Sequence, residues 1–121
     1  MAAPWNDDIY QGETWTRDLW IAYLNEDGTE GDPVNITGYT AHMQVRTHSD
    51  ALTPVADLST ANGKIVIDGP AGRISLILSA TETAALPVVQ LVYDLELIDG
   101  DGNVDKPVAG KLKVYREVTR G

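Results

Sequence analysis

The sequence predicts an all-β fold, an immunoglobulin-like antiparallel β-sandwich of about seven or eight strands with one short helical turn. Three observations lead to this prediction. Segments in which apolar and polar residues alternate recur at intervals of roughly ten residues, as in all-β sandwiches. Clusters of Gly, Pro, Asn and Asp separate these segments and mark turns. No segment has the length and 3.6-residue period of a helix that would cover a sheet.

The first half of the chain predicts a long strand, a short strand and an alternating strand. Residues 14–24 carry apolar side chains on both strand faces over their second half. This strand is therefore buried on both sides, or it keeps one face for a partner. An Asn-, Asp- and Gly-containing turn follows, and residues 33–36 predict a short edge strand. Residues 39–46 then alternate, which places three apolar side chains inward: Ala41, Met43 and Val45.

The second half predicts a hairpin, a helical turn and a closing pair of strands. The Gly-Pro-Ala-Gly connector at residues 69–72 is short enough to form a hairpin between two apolar runs. Ser79 and Glu82 have the spacing of a capping box, which predicts helix at residues 81–86 before Pro87. In the last strand Gly110 falls in the inward series, and this indicates a bulge or a close backbone approach.

Composition limits the classes of partner. The chain has 121 residues, enough for one β-sandwich domain at residues 13–121 preceded by an N-terminal arm at residues 1–12. Its net charge of −9 repels phosphate groups, so neither nucleic acid nor an anionic membrane is an expected partner. The absence of cysteine excludes disulfides and cysteine-ligated zinc. Without a signal-like start or a long apolar run, we expect a protein made in the cytoplasm.

The Asp-Gly-rich loop at residues 99–105 has oxygen ligands at alternate positions, as calcium loops do. It departs from the EF-hand pattern, because Val104 stands where a glycine is needed and Gly110 where a bidentate glutamate is needed. The same residues are typical of a β-hairpin turn, which is the interpretation we favour. We therefore predict no metal and no cofactor.

Catalytic arrangements are also not predicted. His42 and His48 lie six residues apart without a nucleophile or zinc context. Asp94 and Glu96 share one strand face in a geometry that a glycosidase uses, but Lys111 and Lys113 on the next strand predict a cross-strand ion-pair face instead. The sequence thus favours a protein without enzymatic activity.

Four apolar or aromatic residues are candidates for binding a partner: Trp5, Ile9, Tyr10 and Trp20. The first three belong to the N-terminal arm, which either packs on another subunit with Trp5 and Tyr10 as anchors or folds back over an edge of its own sandwich. Trp20 belongs to the strand that is apolar on both faces.

Four short motifs occur in order along the chain: Gly-Tyr-Thr-Ala at residues 38–41, Gly-Arg-Ile at 72–74, Leu-Ser-Ala-x-Glu-Thr at 78–83 and Tyr-Asp-Leu-Glu at 93–96. In this order they resemble small virion proteins of tailed bacteriophages that are related to the N-terminal domain of baseplate upper proteins. The resemblance extends over most of the chain, from about residue 8 to residue 119. The motifs lie in turns, a cap and the core, so they identify a fold family more specifically than a place in the particle.

The resemblance implies a non-enzymatic structural component of the virion, an adaptor that joins tail, neck, baseplate or fibre proteins and assembles in several copies. Two alternatives remain open at this point. A carbohydrate-binding module would display coplanar aromatic residues, for which Trp15, Trp20 and Tyr115 are the candidates. A capsid decoration protein would share the fold and the acidity and would differ only in its location on the particle.

Overall fold

The computed structural model describes residues 2–119, so Met1 of the predicted arm and Arg120 and Gly121 of the predicted domain lie outside the described residues. Within residues 2–119 the order of elements is β1 (Ala3–Pro4), β2 (Asp7–Tyr10), β3 (Trp15–Trp20), β4 (Ala22–Leu24), β5 (Glu30–Pro33), β6 (Thr40–Arg46), β7 (Ala56–Ser59), β8 (Ile65–Asp68), β9 (Arg73–Leu78), α1 (Ala80–Ala84), β10 (Gln90–Ile98) and β11 (Val104–Tyr115). The prediction of an all-β sandwich with one short helical turn is confirmed.

The strands form one large sheet, one small sheet and a separate hairpin. The large sheet has the order β1-β11-β10-β6-β7, with β2 also paired to β11, and the small sheet has the order β3-β9-β8. Strands β4 and β5 pair only with each other among the described residues. The large sheet is mixed and not wholly antiparallel as predicted, because β1 and β2 run parallel to β11.

One core lies between the two main sheets. The inward series predicted for residues 39–46 is confirmed, since Ala41, Met43 and Val45 are buried. The small sheet contributes buried Ile74 and Leu76 from β9 to the same apolar cluster. Strands β6 and β9 therefore each bury every second side chain in this core, as expected for a two-layer fold.

The predicted long first strand is two strands that belong to different sheets. It breaks at Ile21, whose backbone N–H donates to the Gly72 carbonyl at 2.8 Å and whose carbonyl accepts from Val34 at 2.9 Å. A Cβ on Gly72 would collide with the carbonyls of Ile21 and Val34, and its φ of +65° also favours glycine. Since the Gly69 carbonyl accepts the Ile36 N–H at 2.9 Å, both ends of the β4–β5 hairpin are fixed to this one turn.

The helix begins at the predicted capping box and helps to hold the N-terminal segment. The Ser79 hydroxyl accepts from the Glu82 N–H, and the Glu82 carboxylate accepts from the Ser79 N–H at 2.9 Å. The buried Thr83 hydroxyl donates to the Glu13 carbonyl at 2.9 Å and accepts from the Gly12 N–H at 3.1 Å. The helix is shorter than predicted and ends at Ala84, with Ala85 as the C-cap.

The N-terminal segment folds back on its own sandwich in residues 2–12. It runs alongside β11 and approaches it closely at Gly110, where the close backbone approach indicated by the sequence is confirmed: a Cβ there would collide with the Trp5 carbonyl. That carbonyl accepts the Tyr93 hydroxyl at 2.7 Å, and the Asn6 side chain accepts the Lys111 N–H at 2.8 Å. Burial, and secondarily the charge of Asp7, raises the pKa of Tyr93 above its usual value.

Asp7 connects the edges of the two sheets. Its Oδ2 accepts from the Trp15 indole N–H at 3.0 Å and from Arg17 Nε at 2.5 Å. Trp15 is buried, so this carboxylate satisfies a donor that has no water beside it. The N-terminal segment thus belongs to the domain structurally and covers an edge of the large sheet.

The predicted ion-pair face on β10 and β11 is wrong in its register. Asp94 lies opposite Ala109, while Lys111 lies opposite Val92. Asp94 instead pairs with Lys106, at 3.0 Å between Nζ and Oδ2. These pairs belong to one uninterrupted stretch of register from Gln90 to Leu95, and alternation along each strand does not fix which residues of two strands face each other.

Gly110→Ala is expected to destabilise the protein by about 1–3 kcal/mol, the usual cost of forcing atoms into an occupied space. The added methyl group would push the Trp5 carbonyl away from β11. Gly100→Ala is the control, because a Cβ added at Gly100 would have no atom within 4 Å beyond its chain neighbours. Urea denaturation of the two variants would contradict this account if both unfolded at the same midpoint.

Asp7→Ala is expected to cost about 1–3 kcal/mol, because it leaves the buried Trp15 indole N–H without its acceptor. Asp8→Ala removes the same charge at an exposed neighbouring position and is expected to change stability by less than about 0.5 kcal/mol. Thermal unfolding of both variants measures the difference. Equal losses would show that charge, and not the hydrogen bond to Trp15, is responsible.

Candidate interaction surface

The structure separates the four residues predicted to bind a partner. Ile9 is 1% exposed and lies in the core of its own chain, which corrects the prediction that it meets a partner. Trp5 packs against Trp15, with ring centroids 6.4 Å apart, and edge-on against Tyr93 at 6.1 Å. Both residues therefore stabilise the N-terminal segment on its own sandwich, which is the second of the two arrangements left open by the sequence.

Tyr10 and Trp20 remain exposed, but they lie on different sheets. Tyr10 stacks on Tyr115 with ring centroids 5.0 Å apart and lies on the outer face of the large sheet. Trp20 is 58% exposed at the end of β3 in the small sheet. Of the predicted residues, Trp20 is the one that adjoins further exposed apolar side chains in the sequence.

A continuous apolar segment is exposed where β3 leaves the sandwich and β4 begins. Trp20 is 58%, Tyr23 61% and Leu24 79% exposed. We call these three residues with the β4–β5 hairpin the hairpin surface. A two-stranded hairpin is marginally stable by itself in water, and this one keeps its large apolar side chains outside the core. Such a surface is typical of a site that another protein covers.

Sequence reasoning did not select Tyr23 and Leu24, because it treated residues 14–24 as one strand of the sandwich. The signal that was available is the polar turn that begins at Asn25, directly after Leu24. Apolar residues beside a hairpin turn lie at the distal end of their strand, away from the core.

A recess of about 360 Å³ lies at the base of the hairpin surface. Its wall includes Trp20, Ala22, Pro33 and Ala71, and Glu30 is the one charged residue that lines it. The recess exists because the turn at residues 69–72 holds the hairpin against the end of β3. It is mainly apolar, and its volume lies at the lower end of the range of about 300–1,000 Å³ found for ligand pockets.

The hairpin carries four exposed carboxylates: Glu26, Asp27, Glu30 and Asp32. Asp27 orders the turn, since its Oδ1 accepts from the Thr29 hydroxyl at 2.6 Å and from the Thr29 N–H at 3.0 Å. These hydrogen bonds hold the pKa of Asp27 below its usual value. The turn is thus ordered, and it presents negative charge beside apolar surface.

The three aromatic residues proposed for carbohydrate binding do not form a platform. Trp15 is buried, with its indole N–H bound to Asp7. Trp20 lies in the small sheet, and Tyr115 lies in the large sheet beside Tyr10. The geometry therefore does not provide the coplanar set that the carbohydrate-binding hypothesis requires.

The loop after β10 is organised as a turn. Asp99 accepts hydrogen bonds from the backbone of Asp101 and Asn103, both at 2.9 Å, and the Asn103 side chain, followed by these backbone groups, lowers the pKa of Asp99. Residues 2–119 contain no group of three or more His, Cys, Asp or Glu side chains placed to hold a metal ion. His42 contacts Asp57 at 2.7 Å and His48 contacts Asp50 at 3.3 Å, each at the surface.

The Asp27 carboxylate is expected to have a pKa below 3.8. When the pH falls through this lower pKa, the carboxylate is protonated and the turn loses the stabilisation from its hydrogen bonds with Thr29. The sign follows from linkage, because a pKa lowered by folding contributes stability above the unfolded pKa and loses it in acid. Carboxyl ¹³C shifts measured against pH test this expectation. Thr29→Val removes the hydroxyl donor and should move the midpoint back towards 3.8; a midpoint at or above 3.8 in the unaltered protein contradicts it.

Comparison with known proteins assigns no family to the chain. No protein-family model matches it, and no curated protein is significantly similar in sequence. None of the helical structure within residues 2–119 has both the length and the apolar character needed to cross a membrane.

Proposed function

We propose that this protein is a non-enzymatic structural component of a tailed phage particle, an adaptor that joins tail, neck, baseplate or fibre proteins through the hairpin surface. It is present in several copies related by closed symmetry, as most repeated subunits are. The observation that carries the binding role is the exposure of Trp20 at the end of β3 together with Tyr23 and Leu24 on the adjoining hairpin. The phage assignment rests on the four ordered motifs at residues 38–41, 72–74, 78–83 and 93–96.

The hairpin surface is consistent with an adaptor role because its base is fixed by hydrogen bonds and its apolar side chains are exposed to solvent. Backbone hydrogen bonds from Ile21 and Ile36 fix the base to the turn at residues 69–72. An aromatic residue held in this way loses little conformational entropy when a partner covers it, and tryptophan is prominent among residues that dominate interface energies. The remaining strands supply the scaffold that positions it.

Mass spectrometry of purified particles from a phage that encodes the chain tests the location. We expect its peptides in every preparation, at a level comparable to other tail or capsid components. Dissociation of the particles into tail and head fractions would then distinguish a tail adaptor from a capsid decoration protein. Particles without any trace of the chain would contradict the proposal.

Trp20→Ala tests the surface, and it is expected to lower incorporation into particles roughly tenfold or more, as loss of a central aromatic anchor does. Val104→Ala is the matched control, because Val104 is an exposed apolar residue on β11 of the large sheet, whereas Trp20 belongs to the small sheet. Because Trp20 is exposed, both variants should fold, which circular dichroism can verify. Normal incorporation of the Trp20 variant would exclude the hairpin surface as the attachment site.

A further inference from the structure

We propose that the recess at the base of the hairpin surface binds a lysine or arginine side chain carried by an apolar segment of the partner protein. This inference rests on the proposed function and specifies the chemistry of the partner. It follows from three properties of the recess: its apolar wall, its one acidic residue Glu30 and its tryptophan, which carries no cation of its own chain.

The apolar wall fits the stem of a long cationic side chain. Trp20, Ala22, Pro33 and Ala71 surround a space of about 360 Å³ that opens to solvent. Lysine and arginine place three or four methylene groups along apolar surface while the charged end stays near polar groups. A shorter polar side chain would leave most of this wall in contact with water.

Glu30 supplies the opposite charge. Within residues 2–119 its carboxylate has no hydrogen bond or ion pair, while its backbone pairs with Leu24 and its carbonyl also accepts from the Asn25 side chain at 3.4 Å. Glu26, Asp27 and Asp32 on the same hairpin add negative charge. The surroundings therefore attract a cation and repel an anionic or acidic segment.

Trp20 offers a second interaction that the chain itself does not use. Two cation–π contacts occur within residues 2–119, Arg17 over Trp15 and Lys113 over Tyr115. The cross-strand neighbour of Trp20 is Arg73, but its Nη2 lies 3.4 Å from the Asp68 carboxylate. Trp20 thus lines the recess without a cation from its own chain over its ring, and tryptophan is the aromatic side chain that binds cations best.

Two capped tripeptides, acetyl-Val-Arg-Val-amide and acetyl-Val-norleucine-Val-amide, are the probes for this inference. They share the apolar flanks and differ in the charged group. Binding to the ¹⁵N-labelled protein is followed by NMR at the Trp20 indole N–H, assigned with Trp20→Phe, and at the amides of Gly31 and Ala71. We expect these signals to shift with the arginine peptide at millimolar concentration and the norleucine peptide to bind roughly three- to tenfold more weakly.

Glu30→Gln is expected to reduce binding of the arginine peptide to the level of the norleucine peptide. Glu26→Gln is the matched control, because it removes the same charge from the same hairpin outside the recess. It should change the affinity by less than about twofold, since exposed charges beyond the site are screened by salt. Both substitutions affect exposed side chains and leave the fold intact.

Equal binding of the two peptides, equal effects of the two substitutions, or no shift at the three recess signals would each overturn the inference. These outcomes are distinct from a failure of the proposed function, which particle mass spectrometry decides. A chain that is present in particles but has a recess indifferent to arginine would overturn the inference alone. A recess selective for arginine in a chain absent from particles would overturn the phage assignment alone.

Discussion

The turn at residues 69–72 is the constraint on which the exposed surface depends. Its Gly69 and Gly72 carbonyls accept the N–H groups of Ile36 and Ile21, the two residues that bracket the β4–β5 hairpin. Ile36 is also fully buried, so the return of the chain into the core is fixed by packing as well as by hydrogen bonding. Because both ends are held, the hairpin can remain outside the sandwich without loosening β3.

The hairpin surface at residues 20–33 also depends on a glycine far along the sequence, Gly72 of this turn. A side chain at Gly72 would separate the carbonyls of Ile21 and Val34 from the turn, and the recess beside Trp20 would open. Ala71, between the two glycines of the turn, is small enough to form part of the recess wall. The loop that closes the β8–β9 hairpin is therefore also a wall of the candidate binding site.

Local patterns predicted the parts of the fold that depend on neighbours in sequence. The inward series of β6, the β8–β9 hairpin and the Ser79–Glu82 cap follow from alternation and turn chemistry alone, and all three are confirmed. The break at Ile21 depends on a hydrogen bond to Gly72, and the position of Ile9 depends on pairing with Val114. Alternation cannot distinguish a strand that continues from one that changes sheets, and it does not show which strand a segment pairs with. The break at Ile21 and the burial of Ile9 could therefore not be predicted from it.

The N-terminal segment and the hairpin surface show opposite uses of aromatic side chains in a chain without phenylalanine. The Trp15 indole N–H donates to Asp7, and the Tyr93 hydroxyl donates to the Trp5 carbonyl. These two rings therefore fix the N-terminal segment to the sandwich of the same chain. Trp20 has no such polar partner within residues 2–119 and remains largely exposed. A tryptophan that serves the core usually finds an acceptor for its N–H, so this contrast supports the proposal that Trp20 is the ring that binds the partner. The acidic hairpin around it then favours, under this proposal, a partner that brings positive charge to an apolar contact.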